Sequence, residues 1–185
     1  MRPSHSQIVG LTSEVVELRN QNRNLRAEVS QLRMENTRLK LKANPRAAGK
    51  YAEELIARIV GGQLQDANAP YDLLAPNGVR IEVKFASLTR AVKGAPTMRW
   101  VWLSALGAGA KTKDYDHLIL VGEDPPSGVM IFDIPRKDVD GLIGGKNGSI
   151  SANANPLTAR IGPARQLHRD FYVTEEELAN RYQAP

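Results

Sequence analysis

The chain has no cysteine, three histidines, and aromatic residues at only 5% of its 185 positions. Without cysteine there is neither a disulfide nor a thiolate, which excludes zinc ribbons and cysteine nucleophiles. Three scattered histidines argue against a histidine-built metal centre. No apolar run approaches the roughly 18 residues of a membrane-spanning helix. The opening MRPSHSQIVG lacks the apolar stretch and small-residue cleavage site of a secretory signal. The expectation is no membrane partner and a cytoplasmic protein, bacterial or phage-encoded. A hydrophobic fraction of 42% supports one core of ordinary size with an accessory element beside it.

Charge is unevenly spread. Of the net +5, residues 1–43 carry eight Lys/Arg against four acids, and residues 44–185 carry seventeen against sixteen. Residues 80–113 hold seven bases and one acid, whereas 114–140 hold seven acids and two bases. A basic strip of this kind can follow a phosphate backbone. The candidate DNA contacts on it are Arg90, Lys93, Arg99, Lys111 and Lys113. Arg165 and Arg169, with Arg160 and His168, add a later basic cluster.

Leu11, Leu18, Leu25, Leu32 and Leu39 recur every seven residues. Taking them as d, the a positions are Ile8, Val15, Asn22, Val29 and Asn36. β-Branched a residues with Leu at d favour a parallel two-stranded coiled coil, and Asn at a fixes register at some cost in stability. Glu14, Glu28 and Glu35 at g face Arg19, Arg33 and Lys40 at e across such a dimer, while Gln21 faces Arg26. Residues 1–43 therefore predict a homodimeric leucine zipper. A basic-zipper DNA reader needs a basic helix running into the coil. The seven residues before Ile8 contain one Arg and Pro3, so the coil is expected to dimerise rather than to read DNA.

Asn44-Pro45 separates the coil from the remainder, with Pro45 suited to the first turn of a new helix. That helix, about 46–60, places Ala48, Ala52, Leu55, Ile56 and Ile59 on one face and stops at Gly61-Gly62. Glu53 and Glu54 both lie off the apolar face.

The stretch PYDLLAPNGVRIEVK (70–84) follows as a hairpin with arms of about 71–75 and 79–86. A two-residue Asn77-Gly78 loop would leave Asp72 and Glu82 on opposite faces and put Pro76 in the ladder, where it cannot donate. A three-residue Pro76-Asn77-Gly78 loop pairs Ala75 with Val79 and so Asp72 with Glu82. Pro, Asn, then Gly in the left-handed region favours this type I turn with a G1 bulge. The two β-carbons are then about 5 Å apart, and two like charges that close call for a cation. Lys84 shares their face, while Ile81, Val83 and Phe85 point to the core. Such an Asp/Glu/Lys cluster suits an oxygen-ligated Mg²⁺ and a water held by the lysine.

Asp72, the triplet Glu82-Val83-Lys84 and the preceding helix GKYAEEL together resemble the PD-(D/E)XK nuclease superfamily, the restriction-endonuclease-like fold. The resemblance covers roughly residues 46–134, with KDYDHLILVGE similar to a later core strand. The family's Pro-Asp pair is here Pro70-Tyr71-Asp72, with the proline one position early. The resemblance implies an α/β domain over 44–185, with a central mixed sheet flanked by helices. It implies that Asp72 and Glu82 bind the catalytic metal, Mg²⁺ with Mn²⁺ able to substitute, and that Lys84 orients or activates the attacking water. It also implies a helix glutamate completing the metal site, which by its spacing from Gly49 is Glu53.

TMRWVWLSA (97–105), DHLILVGE and GVMIFDI read as strands, with Trp100 and Trp102 in the core and His117 at a strand edge. Residues 144–156 read as a loop. Thr174 to Glu177 reads as a capping box opening a last helix that packs through Leu178 and Tyr182. The expectation is a homodimeric, metal-dependent DNA endonuclease. The alternatives are a structure-selective junction or recombination nuclease, and a catalytically inert zipper-dimerised DNA-binding protein.

Overall fold

The computed structural model describes residues 15–25, 28–29, 32, 45–90, 97–105, 113–124, 128–144, 148–154 and 167–183. The chain divides into two compact units, Met1–Lys40 and Leu41–Pro185. Among the described residues no helix is long and apolar enough to cross a membrane.

In the first unit residues 15–25 are helical, and so are 28, 29 and 32. Val15, Leu18, Leu25, Val29 and Leu32 are all exposed, and so is Asn22. An apolar seam left in water gives an isolated helix little support, because most helical stability comes from packing such a face against another element. Leu11, Asn36 and Leu39 lie outside the described residues.

The second unit opens with α1, Pro45–Val60, which buries Ala48, Ala52, Leu55, Ile56 and Val60. Gly61 (φ +71°) ends it in the left-handed region, and Gly62 N–H donates to Ala57 O at 2.9 Å. That bond closes a Schellman-type cap of the kind glycine permits.

Two sheets follow. The central one has six strands: β1 (Gln63–Leu64), β2 (Leu73–Leu74), β3 (Arg80–Ala86), β6 (His117–Asp124), β7 (Gly128–Pro135) and β9 (Tyr172–Val173). Their order is β1-β2-β3-β6-β7-β9, with β3 and β6 parallel and every other neighbour antiparallel. The smaller sheet is antiparallel and runs β4 (Thr89–Arg90), β5 (Met98–Trp102), β8 (Ile150–Asn153). Helix α2 (Arg136–Leu142), a π-helical turn (Leu167–Phe171) and helix α3 (Glu175–Tyr182) complete the unit. The domain is thus mixed α/β, with a mixed sheet flanked by helices.

Alternation along the strands separates two cores. Ile81, Val83, Ile119, Val121 and Ile131 pack with α1 and α3. Leu118, Leu120, Phe132 and Ile134, on the opposite face, pack with β5, β8, α2 and the π turn. β6 is buried on both faces, which explains its uninterrupted apolar run. Both tryptophans are fully buried, and each indole N–H reaches a backbone oxygen of β6: Trp100 to Glu123 O at 2.8 Å and Trp102 to Val121 O at 2.9 Å. Those two bonds fasten the small sheet to the large one.

Gly122 is where the sheets meet most tightly. A β-carbon there would stand 2.7–2.9 Å from three atoms of the Trp100 indole. Gly122→Ala is expected to lower stability by about 1–3 kcal/mol, the usual cost of overpacking a filled core, measured as a shift in the denaturant midpoint.

The loop expected over 144–156 is corrected: it contains β8. Ile150 and Ala152 are buried and alternate with Ser151 and Asn153 against β5. Two apolar residues among Gly, Ser and Asn are too few to announce a strand, and the partner strand decides it. The capping box at Thr174 is present, with Thr174 Oγ1 accepting from Glu177 N and Glu177 Oε2 accepting from Thr174 N at 2.8 Å.

Candidate active site

The site is organised by the turn between β2 and β3. Gly78 N–H donates to Ala75 O at 2.9 Å, Gly78 has φ +84°, and Ala75 N–H donates to Val79 O at 2.9 Å. Asn77 Oδ1 accepts from Val79 N at 3.2 Å. The loop therefore has three residues, and the ladder pairs Leu73 with Ile81 and Leu74 with Arg80. Asp72 falls opposite Glu82, with Asp72 N–H on Ile81 O at 3.0 Å and Gln65 N–H on Asp72 O at 2.9 Å. The backbone of Asp72 is held from both sides.

Asp72 Oδ2 accepts from Val83 N at 2.8 Å. The Glu82 side chain is fully buried, and Lys84 donates to its Oε1. Its Oε2 accepts from Lys113 Nζ at 3.0 Å, and the same ammonium lies 3.7 Å from Asp72 Oδ1. Lys113, expected on the phosphate-tracking strip, is instead a cation shared by the two carboxylates.

The segment carrying Lys113 is tied down locally. Asp114 N–H donates to Pro70 O at 3.1 Å and Asp116 N–H to Arg80 O at 2.9 Å. The Arg80 guanidinium grips Asp116 at 2.8 Å and also pairs with Asp114. These bonds hold Asp116 well below the ordinary carboxylate range, at about 2, and raise Arg80 further. No local pattern in the sequence signals this role for Lys113, which reads there as one base among seven.

Burial pushes the Glu82 carboxyl above its usual range; Lys84 opposes the shift and Asp72 adds to it. Glu53, on α1, is likewise pushed up, first by burial and then by Asp72. Burial works to lower the Lys113 ammonium, but its hydrogen bond to Glu82 and the two carboxylate charges outweigh that, and it ends above the ordinary lysine range. Asp72 and Glu82 thus face two ammonium groups in one partly dry cluster, and Glu53 feels those charges from α1.

The two neighbouring glutamates of α1 differ in their surroundings. Glu54 is exposed and pairs with Lys50 one turn away, at 3.8 Å. Glu53 is half-buried and lines a cleft of about 600 Å³ with Gly49, Lys84, Ser87, Val101 and Leu103. Because the folded state raises its pKa, Glu53 costs the fold nothing below about 4.5, where it is protonated in both states. The cost appears as pH rises through the folded value. Glu53→Gln is therefore expected to raise the melting temperature at pH 7, with the gain vanishing at pH 4, in paired thermal scans.

Glu53 does not join Asp72 and Glu82 in a three-ligand cage. Among the described residues, no three His, Asp or Glu side chains are grouped closely enough to hold one ion. The donor set is two carboxylates that already share one cation. That fits Mg²⁺, which keeps several waters and is commonly held by one or two protein carboxylates.

The basic strip is less free than its composition suggests. Arg80, Lys84 and Lys113 are all paired with acids. Arg90 and Arg99 are exposed on the small sheet, while Lys93, Lys111 and Arg165 lie outside the described residues. Arg169 is exposed but its guanidinium is taken by Asp170 at 2.8 Å. His168 belongs to the core edge, 5.2 Å from the Phe132 ring with Nε2 2.8 Å from Asn153 O.

No protein-family model matches the sequence, and no curated protein matches it.

Proposed function

We propose that the chain is a metal-dependent deoxyribonuclease: a homodimer, joined by its N-terminal zipper, whose restriction-endonuclease-like domains hydrolyse DNA phosphodiester bonds. The observation that carries this reading is the register placing Asp72 opposite Glu82, with one cation already shared between them and Lys84 on the same arm. A purely structural strand face has no need for two apposed acids, one of them fully buried.

Asp72 and Glu82 would hold Mg²⁺, with Mn²⁺ able to substitute; such an ion polarises a phosphate oxygen and acidifies a bound water. Lys84 is anchored on Glu82 and keeps further N–H donors for a water or a non-bridging phosphate oxygen. Glu53 adds negative charge to the cleft wall and so favours a cation beside Lys84. The exposed Arg90 and Arg99 supply phosphate contacts at one end of the small sheet. The exposed a and d side chains of the zipper favour a second copy of the same helix, whose g and e charges complement them.

The test is cleavage of supercoiled plasmid and of a four-way junction by the full-length protein, in Mg²⁺ and in EDTA. Metal-dependent nicking of the plasmid supports the reading, and preference for the junction makes the enzyme structure-selective. DNA binding with no cutting of either substrate leaves a catalytically inert zipper-dimerised DNA-binding protein.

A further inference from the structure

Lys113 is the member of the cluster that the Asp and Glu-x-Lys motif does not contain. It arrives from just ahead of β6 and places its Nζ 3.0 Å from Glu82 Oε2 and 3.7 Å from Asp72 Oδ1. The other oxygens of these carboxylates are already used: Asp72 Oδ2 by Val83 N–H at 2.8 Å and Glu82 Oε1 by Lys84. Asp72 Oδ1 and Glu82 Oε2 are therefore the pair left to a metal ion bound by both residues, and Lys113 holds them. Lys84 lies on the opposite oxygen of Glu82, whereas a divalent ion and the Lys113 ammonium would compete for the same two acceptors.

We propose that Lys113 is a tethered counter-ion of the active site: its ammonium closes the Asp72–Glu82 pair and is displaced from it when a divalent cation binds. The inference rests on the metal-dependent reading of this site and adds to it a built-in competitor. Two features favour displacement of the side chain over movement of the loop. The backbone beside it is pinned by Asp114 N–H to Pro70 O and Asp116 N–H to Arg80 O, whereas a lysine has four flexible carbons to swing. The side chain is also 24% exposed, so its path to solvent is open. The competition keeps two apposed carboxylates from standing unscreened and raises the cation concentration the site requires.

Two measurements on the full-length protein test this without relying on cleavage. In the wild type, acylation of lysines by an amine-specific reagent is followed by peptide mass spectrometry with and without Mn²⁺. Lys113 should be labelled several-fold faster with the ion, while the exposed Lys50 keeps its rate. Mn²⁺ affinity is then read by electron paramagnetic resonance for the wild type, Lys113→Met and Asp72→Asn. Lys113→Met should bind roughly tenfold more tightly, because a positive charge has been removed beside the ion. Unchanged labelling and unchanged or weaker affinity in Lys113→Met, with binding still lost in Asp72→Asn, overturns the proposal and leaves the metal site standing. If Mn²⁺ binding does not depend on Asp72, the metal-dependent reading itself falls, and the proposal with it.

Discussion

Asp133→Ala should destabilise the second unit by about 3 kcal/mol or more, the scale for removing one partner from a buried charged cluster. The Asp133 side chain is fully buried in β7, and its two oxygens serve three groups. Oδ1 meets His117 Nδ1 at 2.7 Å and accepts from Tyr182 OH at 2.8 Å, while Oδ2 accepts from Arg181 at 2.9 Å. One carboxylate thus joins β6, β7 and α3. Tyr182 is buried and packs edge-on against the His117 ring at 5.7 Å, so truncation leaves its hydroxyl dry and unpaired. Helix α3 also packs on α1, and its release would loosen the helix that carries Glu53. Urea unfolding monitored by tryptophan fluorescence measures the loss. Arg181→Ala is the milder comparison: its side chain is half-exposed and Asp133 keeps His117 and Tyr182, so its loss should be clearly smaller than that of Asp133→Ala.

The same aspartate sets an acid limit. Burial alone would raise its pKa, but His117, Tyr182 and Arg181 together hold it below the ordinary value of 3.8. Its stabilising contribution is then complete above that value and lost as pH falls through the lower folded one. The acid arm of the wild-type stability curve should flatten in Asp133→Asn.

If the chain is the proposed nuclease, Lys84→Ala should lower the single-turnover cleavage rate by about 10²–10³-fold, the scale for removing a donor aimed at developing charge. Binding of DNA should change little, because Arg90 and Arg99 remain exposed elsewhere. The fold should also survive, since Glu82 keeps Lys113 on its other oxygen and Lys84 is partly exposed. A substitution that slows chemistry while sparing binding and melting temperature separates a role in the reaction from a structural one. If Lys84→Ala cuts DNA at the wild-type rate, Lys84 has no part in the chemistry.

The outcome at particular residues divides along a physical line. Pro76-Asn77-Gly78 determined the hairpin register, because turn chemistry acts over four residues and Gly78 alone tolerates the positive φ required. The alternation of Ile81, Val83 and Phe85 with Glu82 and Lys84 followed from the strand period of two. The helix cap at Gly61, the capping box at Thr174 and the burial of Trp100 and Trp102 are likewise local or compositional facts.

What the sequence could not determine depends on contacts between distant segments. β8 is a strand only because β5 offers an edge to Ile150 and Ala152. Which of Glu53 and Glu54 turns toward the cleft needed the direction of α1 relative to β3. Asp133 joins residues up to 49 positions away, and nothing in GVMIFDI marks its aspartate as a hub. Lys113 is the clearest case. As one base in a basic strip it read as a phosphate contact, and the parallel pairing of β6 with β3 carries it beside Glu82, thirty-one positions earlier. Local chemistry set which acids face each other across the hairpin. The cation that lies between them was decided by the crossover, since a long-range charge pair has no period, cap or turn by which to announce itself.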